Sequence, residues 1–367
     1  MRIRLVKQFM DEKLVEAVIQ ALRNERAVMG ESVFKFEEEL ARYFGVKHAV
    51  TTSSGTHALQ FALIAVGVKA GKKVVTTPYS FIATANSVIH ASGIPIFADV
   101  REDTYNLDPN KIPETLDKDV SAILPVHLFG YPADMDEICS IAEDLGLAVI
   151  EDACQAHGAV YKGRKVGGIG DAGCLSFYPT KNMSVFGDGG AVLTNDDEIA
   201  EIVRKLRDCG RRSRYIHDMI GYTARLNTIN AVIGRIQLRH LDEWNERRRR
   251  IAEKYDKLLS DIDEIMLPPR GDHGIKPVYH LYTIRTERRD ELKKWLEESG
   301  IECGVYYPLP IHLQPIYRKL FNYHEGLYPI SEKLSKTCLS IPIHPFLKDD
   351  EVNYVCEKIH EFFDKNH

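Results

Sequence analysis

The sequence has no excess of positive charge: 48 Lys and Arg stand against 53 Asp and Glu, a formal net charge of −5. The basic footprint of a nucleic-acid binder is missing, and no nucleic-acid partner is expected. Long apolar runs are missing too. None approaches the roughly 18 residues that a membrane span needs. The stretch MRIRLVKQFMDEKLVEAV meets Asp11 and Glu12 before any apolar segment can form, so it reads as a poor signal peptide. A cytoplasmic protein without a membrane partner is expected. The seven cysteines, Cys139, Cys154, Cys174, Cys209, Cys303, Cys338 and Cys356, form no CxxC pair, and no histidine cluster has zinc spacing. Reduced thiols are expected, and no metal site. Solenoid repeats and low-complexity segments are absent as well.

What is there is ordinary for a globular chain: 44% hydrophobic and 28% charged residues. The 367 residues exceed one compact core and suit a large domain plus a smaller one. Short β-branched runs alternate with helical patterns. Strands are expected at His48–Thr52, Lys73–Thr77, Pro95–Val100, Val120–His127, Leu147–Ile150, Cys174–Phe177 and Ala191–Thr194. Helices are expected at Gly55–Val66, Ser80–Ala91 and Met135–Leu145. Such alternation predicts a mostly parallel sheet covered by helices. Near Leu241 the character changes. Asp242–Lys257 reads as a charged linking helix, and its run Arg247 to Arg250 reads as a solvated face. A strand over Val278–Arg285 and a helix over Asp290–Ser299 then suggest a small α+β domain.

Three stretches carry candidate chemistry. Ser53-Ser54-Gly55-Thr56 opens a helix, where free N–H groups and hydroxyls suit either a phosphate or a simple cap. Asp152 ends the most apolar strand, and open α/β sheets bind ligands at strand carboxyl ends. A carboxylate there needs a partner, whether a cationic ligand group, a salt bridge or a helix cap. The third is SFYPTKNMSVFGDGG, Ser176 to Gly190, which holds Lys181 between Phe177, Tyr178 and Pro179 and a tight glycine-rich segment. Taken together, the three ask for a phosphate, a protonatable aromatic nitrogen and a carbonyl that a lysine attacks. Pyridoxal 5′-phosphate has all three. Phe81, in PYSFIATAN, is placed to stack on its ring.

The segments SSGTHAL, TTPYSFIATANSV, EDACQAHGAVYKGRKVGGIGDAGCLSFYPTKN, GDGGAVLTND and YYPLPIHLQPIY resemble, in order, the motifs of the DegT/StrS family of pyridoxal-phosphate-dependent nucleotide-sugar aminotransferases. The resemblance implies the type I pyridoxal-phosphate (aspartate aminotransferase-like) fold. It implies an amino-terminal segment, 1–25, packing on the small domain, a cofactor domain over 26–240, and a linker helix with the small domain over 241–367. It makes Lys181 the Schiff-base lysine and Asp152 the partner of the pyridine nitrogen. Gln155 would lie near the phenolic oxygen. Ser54, Gly55, Thr56 and Ser176 would hold the phosphate, and Phe81 would stack. His157 would either support Asp152 or fill the core. Tyr307 and His312 would contact the sugar or pack their loop.

The same resemblance implies a homodimer with shared active sites. The stretch Cys209-Gly210-Arg211-Arg212-Ser213-Arg214, followed by Gly221 to Arg225, would cross to the neighbour, and Arg225 fits the family pattern. Thr223 departs from it, because many members carry an asparagine there that reaches the neighbour's phosphate. The implied reaction moves an amino group from an amino acid, glutamate being expected, to a keto group of a nucleotide-linked sugar. Alternatives are the sugar dehydratase branch, whose members carry histidine where Lys181 stands, a pyridoxal-phosphate enzyme acting on amino acids alone, a cofactor-binding regulator without turnover, and a nucleotide-binding α/β module.

Overall fold

A computed structural model describes residues 2–364; Met1 of the amino-terminal segment and the last three residues of the carboxyl-terminal region lie outside the described residues. Seven strands build the main sheet: β1 (His48–Thr52), β2 (Lys73–Thr76), β3 (Ile94–Phe97), β4 (Val120–Leu124), β5 (Ala148–Asp152), β6 (Ala172–Ser176) and β7 (Gly190–Thr194). Their order is β1-β7-β6-β5-β4-β2-β3. Every neighbouring pair is parallel except the two that β7 makes, with β1 and β6. The sheet is therefore mostly parallel.

Side chains alternate across a strand, so a sheet with two covered faces needs apolar residues at every position. The strands obey this rule. Ala49, Val75, Ile123, Val149, Leu175 and Ala191 point into one core, whereas Val50, Val74, Ala122, Ile150, Cys174 and Val192 point into the other. The first core is closed by α2 (Glu31–Phe44), α5 (Met135–Leu145) and α7 (Thr228–Leu238). The second is closed by α3 (Gly55–Ala65), α4 (Ala83–His90) and α6 (Asp197–Arg207).

The helix α8 (Leu241–Leu259) leads to a separate apolar cluster built on the antiparallel pair β8 (Tyr282–Arg285) and β9 (Cys338–Ile341). Ile3 joins this cluster, and its backbone pairs with Gly300 and Glu302. The helix α1 (Glu12–Asn24), by contrast, packs on α7. Residues of the amino-terminal segment thus touch both parts of the molecule, rather than the small domain alone.

Two expectations need correction. The arginine run on α8 is not a uniform solvated face. Arg248 is buried and donates to the carbonyls of Tyr279 (3.2 Å) and Ile343 (2.8 Å), and burial draws its pKa down to about 9. The strand expected from Val278 begins at Tyr282, because Val278 N–H and Leu281 N–H donate instead to the carbonyls of Gly130 (3.0 Å) and Phe129 (3.4 Å). That detour carries His280 to the site described next.

Candidate active site

The carboxyl ends of β5 and β6 and the amino terminus of α3 meet around one cavity of about 550 Å³. Ser54, Gly55, Thr56, Phe81, Asp152, Gln155, Ser176, Lys181 and Tyr307 all line it. Ser54 caps α3, its hydroxyl accepting from His57 N–H at 3.2 Å. The first-turn N–H groups beyond it have no acceptor within the helix. Close packing explains the glycine that follows: a Cβ on Gly55 would sit 2.7 Å from Ser176 Cβ and 3.0 Å from Cys154 Sγ. The result is a small polar hollow with hydroxyls from two elements, suited to an anion.

Asp152 is buried, with Thr84 donating to Oδ2 at 2.8 Å and Cys154 N–H to Oδ1 at 3.2 Å. Gln155 is oriented by Phe129 N–H, which donates to its Oε1 at 2.9 Å, and its Nε2 donates to the Tyr307 hydroxyl at 3.0 Å. Lys181 sits in the turn after β6, its N–H bonded to the Tyr178 carbonyl at 2.9 Å. The next residue anchors that turn: Asn182 Nδ2 donates to Asn245 Oδ1 (2.9 Å) and to the Val278 carbonyl (3.0 Å). Burial holds the Lys181 ammonium below its ordinary pKa, opposed by Cys154 and Asp152. A lysine so placed is a better nucleophile than a solvated one.

Other expected residues lie elsewhere. His312 is fully buried away from the cavity lining, with Nε2 bonded to Glu332 Oε1 at 3.0 Å and its ring edge-on to Tyr328. It packs its own loop and does not line the cavity. His157 is fully buried, with no bond to Asp152 among the described residues, and Thr84 holds that carboxylate instead. Arg225 pairs with Asp208 of its own chain and does not line the cavity; Thr223 is exposed, 3.4 Å from Cys209 Sγ. Phe81 stands at the mouth, 54% exposed, its ring centroid 6.1 Å from that of Tyr307.

The lining also includes Ser80, Thr84, His280, Tyr306 and Asp188, none of which was singled out as a site residue from the sequence. Within the stretch PYSFIATAN, Thr84 lies three positions after Phe81, one helical turn on. That spacing was the available signal.

These residues fit pyridoxal 5′-phosphate. The helix start at Ser54, Gly55 and Thr56, with the Ser176 hydroxyl beside it, suits the phosphate, the strand-end carboxylate suits the ring nitrogen, and the half-buried lysine suits the carbonyl.

Comparison with known proteins agrees. The chain matches the DegT/DnrJ/EryC1/StrS aminotransferase family over residues 8–360. It is 43% identical over 352 residues to a "pleiotropic regulatory protein" of Geobacillus stearothermophilus, covering 96% of this chain and 94% of the relative. It is 40% identical over 349 residues to dTDP-3-amino-3,4,6-trideoxy-alpha-D-glucose transaminase of Streptomyces venezuelae, covering 95% and 92%. The crystal structure of S. venezuelae DesV in complex with a ketimine intermediate superposes with a TM-score of 0.93 at 40% identity, covering 95% of this chain and 94% of that one. With its type I fold and its cofactor-shaped cavity, the chain belongs to the DegT/DnrJ/EryC1/StrS aminotransferase family and is a pyridoxal-phosphate-dependent aminotransferase.

Proposed function

We propose that the protein transfers an amino group from glutamate to a keto group of a nucleotide-linked sugar in a ping-pong cycle, working in the cytoplasm as a homodimer with shared active sites. The observation that carries this reading is the convergence of Lys181, Asp152 and the hydroxyls of Ser54, Thr56 and Ser176 on one cavity. In that reading Ser54, Gly55, Thr56 and Ser176 hold the phosphate, Phe81 covers the ring and Gln155 faces the phenolic oxygen. When bound, the cofactor supplies an electron sink for cleavage at the amino-bearing carbon. Asp152 keeps the ring nitrogen protonated. Lys181 would hold the cofactor's carbonyl carbon, and its Nζ could carry a proton to and from the reacting carbons. Tyr307, fixed by Gln155, faces the sugar. The lysine at position 181 speaks for amino transfer over the dehydratase branch.

Shared sites are supported by a deficit. Lys181 is the only Lys or Arg among the described residues lining the cavity, too few for a donor carboxylate and a diphosphate together. The exposed segment after α6 offers the missing cations in Arg211, Arg212 and Arg214, beside exposed Tyr215 (79%) and Ile220 (91%). Apolar groups left this open mark a contact surface. The cofactor domain over 26–240 and the small domain over 241–367 belong to the same reading, supported by their separate apolar cores.

The name of the Geobacillus relative, a pleiotropic regulatory protein, favours one second reading, a cofactor-binding regulator. A panel of keto-sugar nucleotides with glutamate or glutamine, read by mass spectrometry, separates the two. Amino-sugar nucleotide formation supports the transaminase, and cofactor binding with no product from any pair supports the regulator.

A further inference from the structure

Asp152 is held by an ordered chain of hydroxyls. Thr84 Oγ1 donates to Asp152 Oδ2 over 2.8 Å, and Ser80 Oγ lies 2.9 Å from Thr84 Oγ1. An ionised carboxylate only accepts hydrogen bonds. The Thr84 proton is therefore committed to Asp152, and Ser80 donates to Thr84. Both residues are buried, and both line the cavity. From behind, Ser87 Oγ donates to the Thr84 carbonyl at 2.7 Å, which fixes the turn that presents the hydroxyl. Ser80 and Thr84 precede and open α4, whereas Asp152 ends β5, so the chain joins two elements.

We propose that Ser80 and Thr84 form a hydroxyl relay that sets how strongly Asp152 draws on the proton of the cofactor's ring nitrogen. Thr84 is then a positioning residue acting through Asp152. A donor to a carboxylate stabilises its charge and weakens its pull on a neighbouring proton. In a buried site, successive hydroxyls polarise one another, so Ser80 strengthens the donation from Thr84. With the relay intact the proton stays on the ring, and the electron sink is at full strength. Without it, Asp152 Oδ2 loses its side-chain donor and is free to take a closer hold of the ring proton.

The inference rests on the transaminase reading, and its test is chosen to fail separately. Wild type, Thr84→Val, Thr84→Ser and Ser80→Ala are loaded with cofactor carrying ¹⁵N in the ring, and the nitrogen resonance is read at neutral pH. In Thr84→Val the resonance moves toward that of an unprotonated ring, while Thr84→Ser matches wild type. Ser80→Ala moves the same way by less. Turnover falls about 10-fold in Thr84→Val, the scale of one hydrogen bond to a charged group, and Thr84→Ser restores it. A Thr84→Val resonance coincident with wild type overturns the relay, as does a Thr84→Ser resonance displaced equally far. Should Thr84→Val fail to fold in a melting curve, a Ser80→Ala resonance coincident with wild type overturns it. Wild-type protein that takes up no cofactor overturns the transaminase reading itself.

Discussion

Lys181 combines reach into the cavity with an ammonium that burial makes easier to deprotonate. Borohydride reduction of the loaded protein is expected to leave the cofactor fixed to Lys181, seen by peptide mass spectrometry; a label on another lysine would refute the assignment. On the proposed roles, Asp152→Asn removes the charge that would keep the ring nitrogen protonated. Its turnover is expected to fall about 10²–10⁴-fold in steady-state assays, the range for a positioned electrostatic group. Near-normal turnover would mean that another group pairs with the nitrogen. Two buried histidines give the fold a pH signature. Burial, and then the Lys181 charge, push His157 down to about 3; burial, with Arg248 and Lys7, takes His344 down to about 4. In the unfolded chain both titrate near about 6.5. Below that pH the unfolded state binds protons that the folded state refuses, so stability is lost as pH falls, until the folded values are reached. Each group costs about 1.4 kcal/mol per pH unit over that window. Urea midpoints are expected to fall between pH 7 and 5, and to fall less steeply in His157→Gln. Equal slopes would show that His157 is not the titrating group.

Elements explain which of these residues could be read from the sequence. Asp152 and Ser176 end their strands, and Ser54 caps α3, so local pattern and hydroxyl chemistry suffice to find them. Thr84 acts on Asp152 from 68 positions away, and Gln155 meets Tyr307 across 152. Only the sheet order, which brings the element ends together, reveals such pairs. The packing of His312 is hidden for the same reason: its partner Glu332 lies on a helix, Pro329–Thr337, that no pattern in the loop announces. The phosphate hollow depends equally on an approach between elements. Gly190 opens β7 directly against the start of α3, where a Cβ would lie 2.5 Å from the backbone C and O of Ser54 and 2.8 Å from Gly55 N. Backbone cannot yield as a flexible side chain can. Gly190→Ala is therefore expected to destabilise the fold by about 1–3 kcal/mol, the usual cost of overpacking. It should also weaken cofactor binding, measured by denaturant melts and by fluorescence titration of the apoprotein. Unchanged values for both would show that α3 can shift without loss.

At the scale of the whole molecule, the open question is whether one chain makes a complete site. Among the described residues the cavity is lined by one Lys or Arg, and the arginines that could complete it stand on an exposed segment of the same chain that does not line it. Arg225 is turned toward Asp208, and Arg211 also pairs with Asp208 at 3.3 Å, so this segment is ordered by its own ion pairs before it meets a partner. A preorganised basic segment flanked by exposed tyrosine and isoleucine suits a two-fold contact, the commonest symmetry among oligomers. On the proposed shared-site reading, such a contact would bring the segment of each chain to the cavity of the other. The consequence is testable by mixing two damaged proteins. Lys181→Ala spoils the site in its own chain. Arg225→Ala, if the segment crosses, spoils the site of its neighbour. In a mixed dimer both lesions then fall on one site, and the other keeps Lys181 from one chain and Arg225 from its partner. Co-refolding the two weak variants in equal amounts makes about half of the dimers mixed, each with one intact site. Activity is therefore expected to recover to about a quarter of the wild-type value per chain. No recovery despite heterodimers seen by native mass spectrometry, or an active monomer by light scattering, would show that each chain completes its own site.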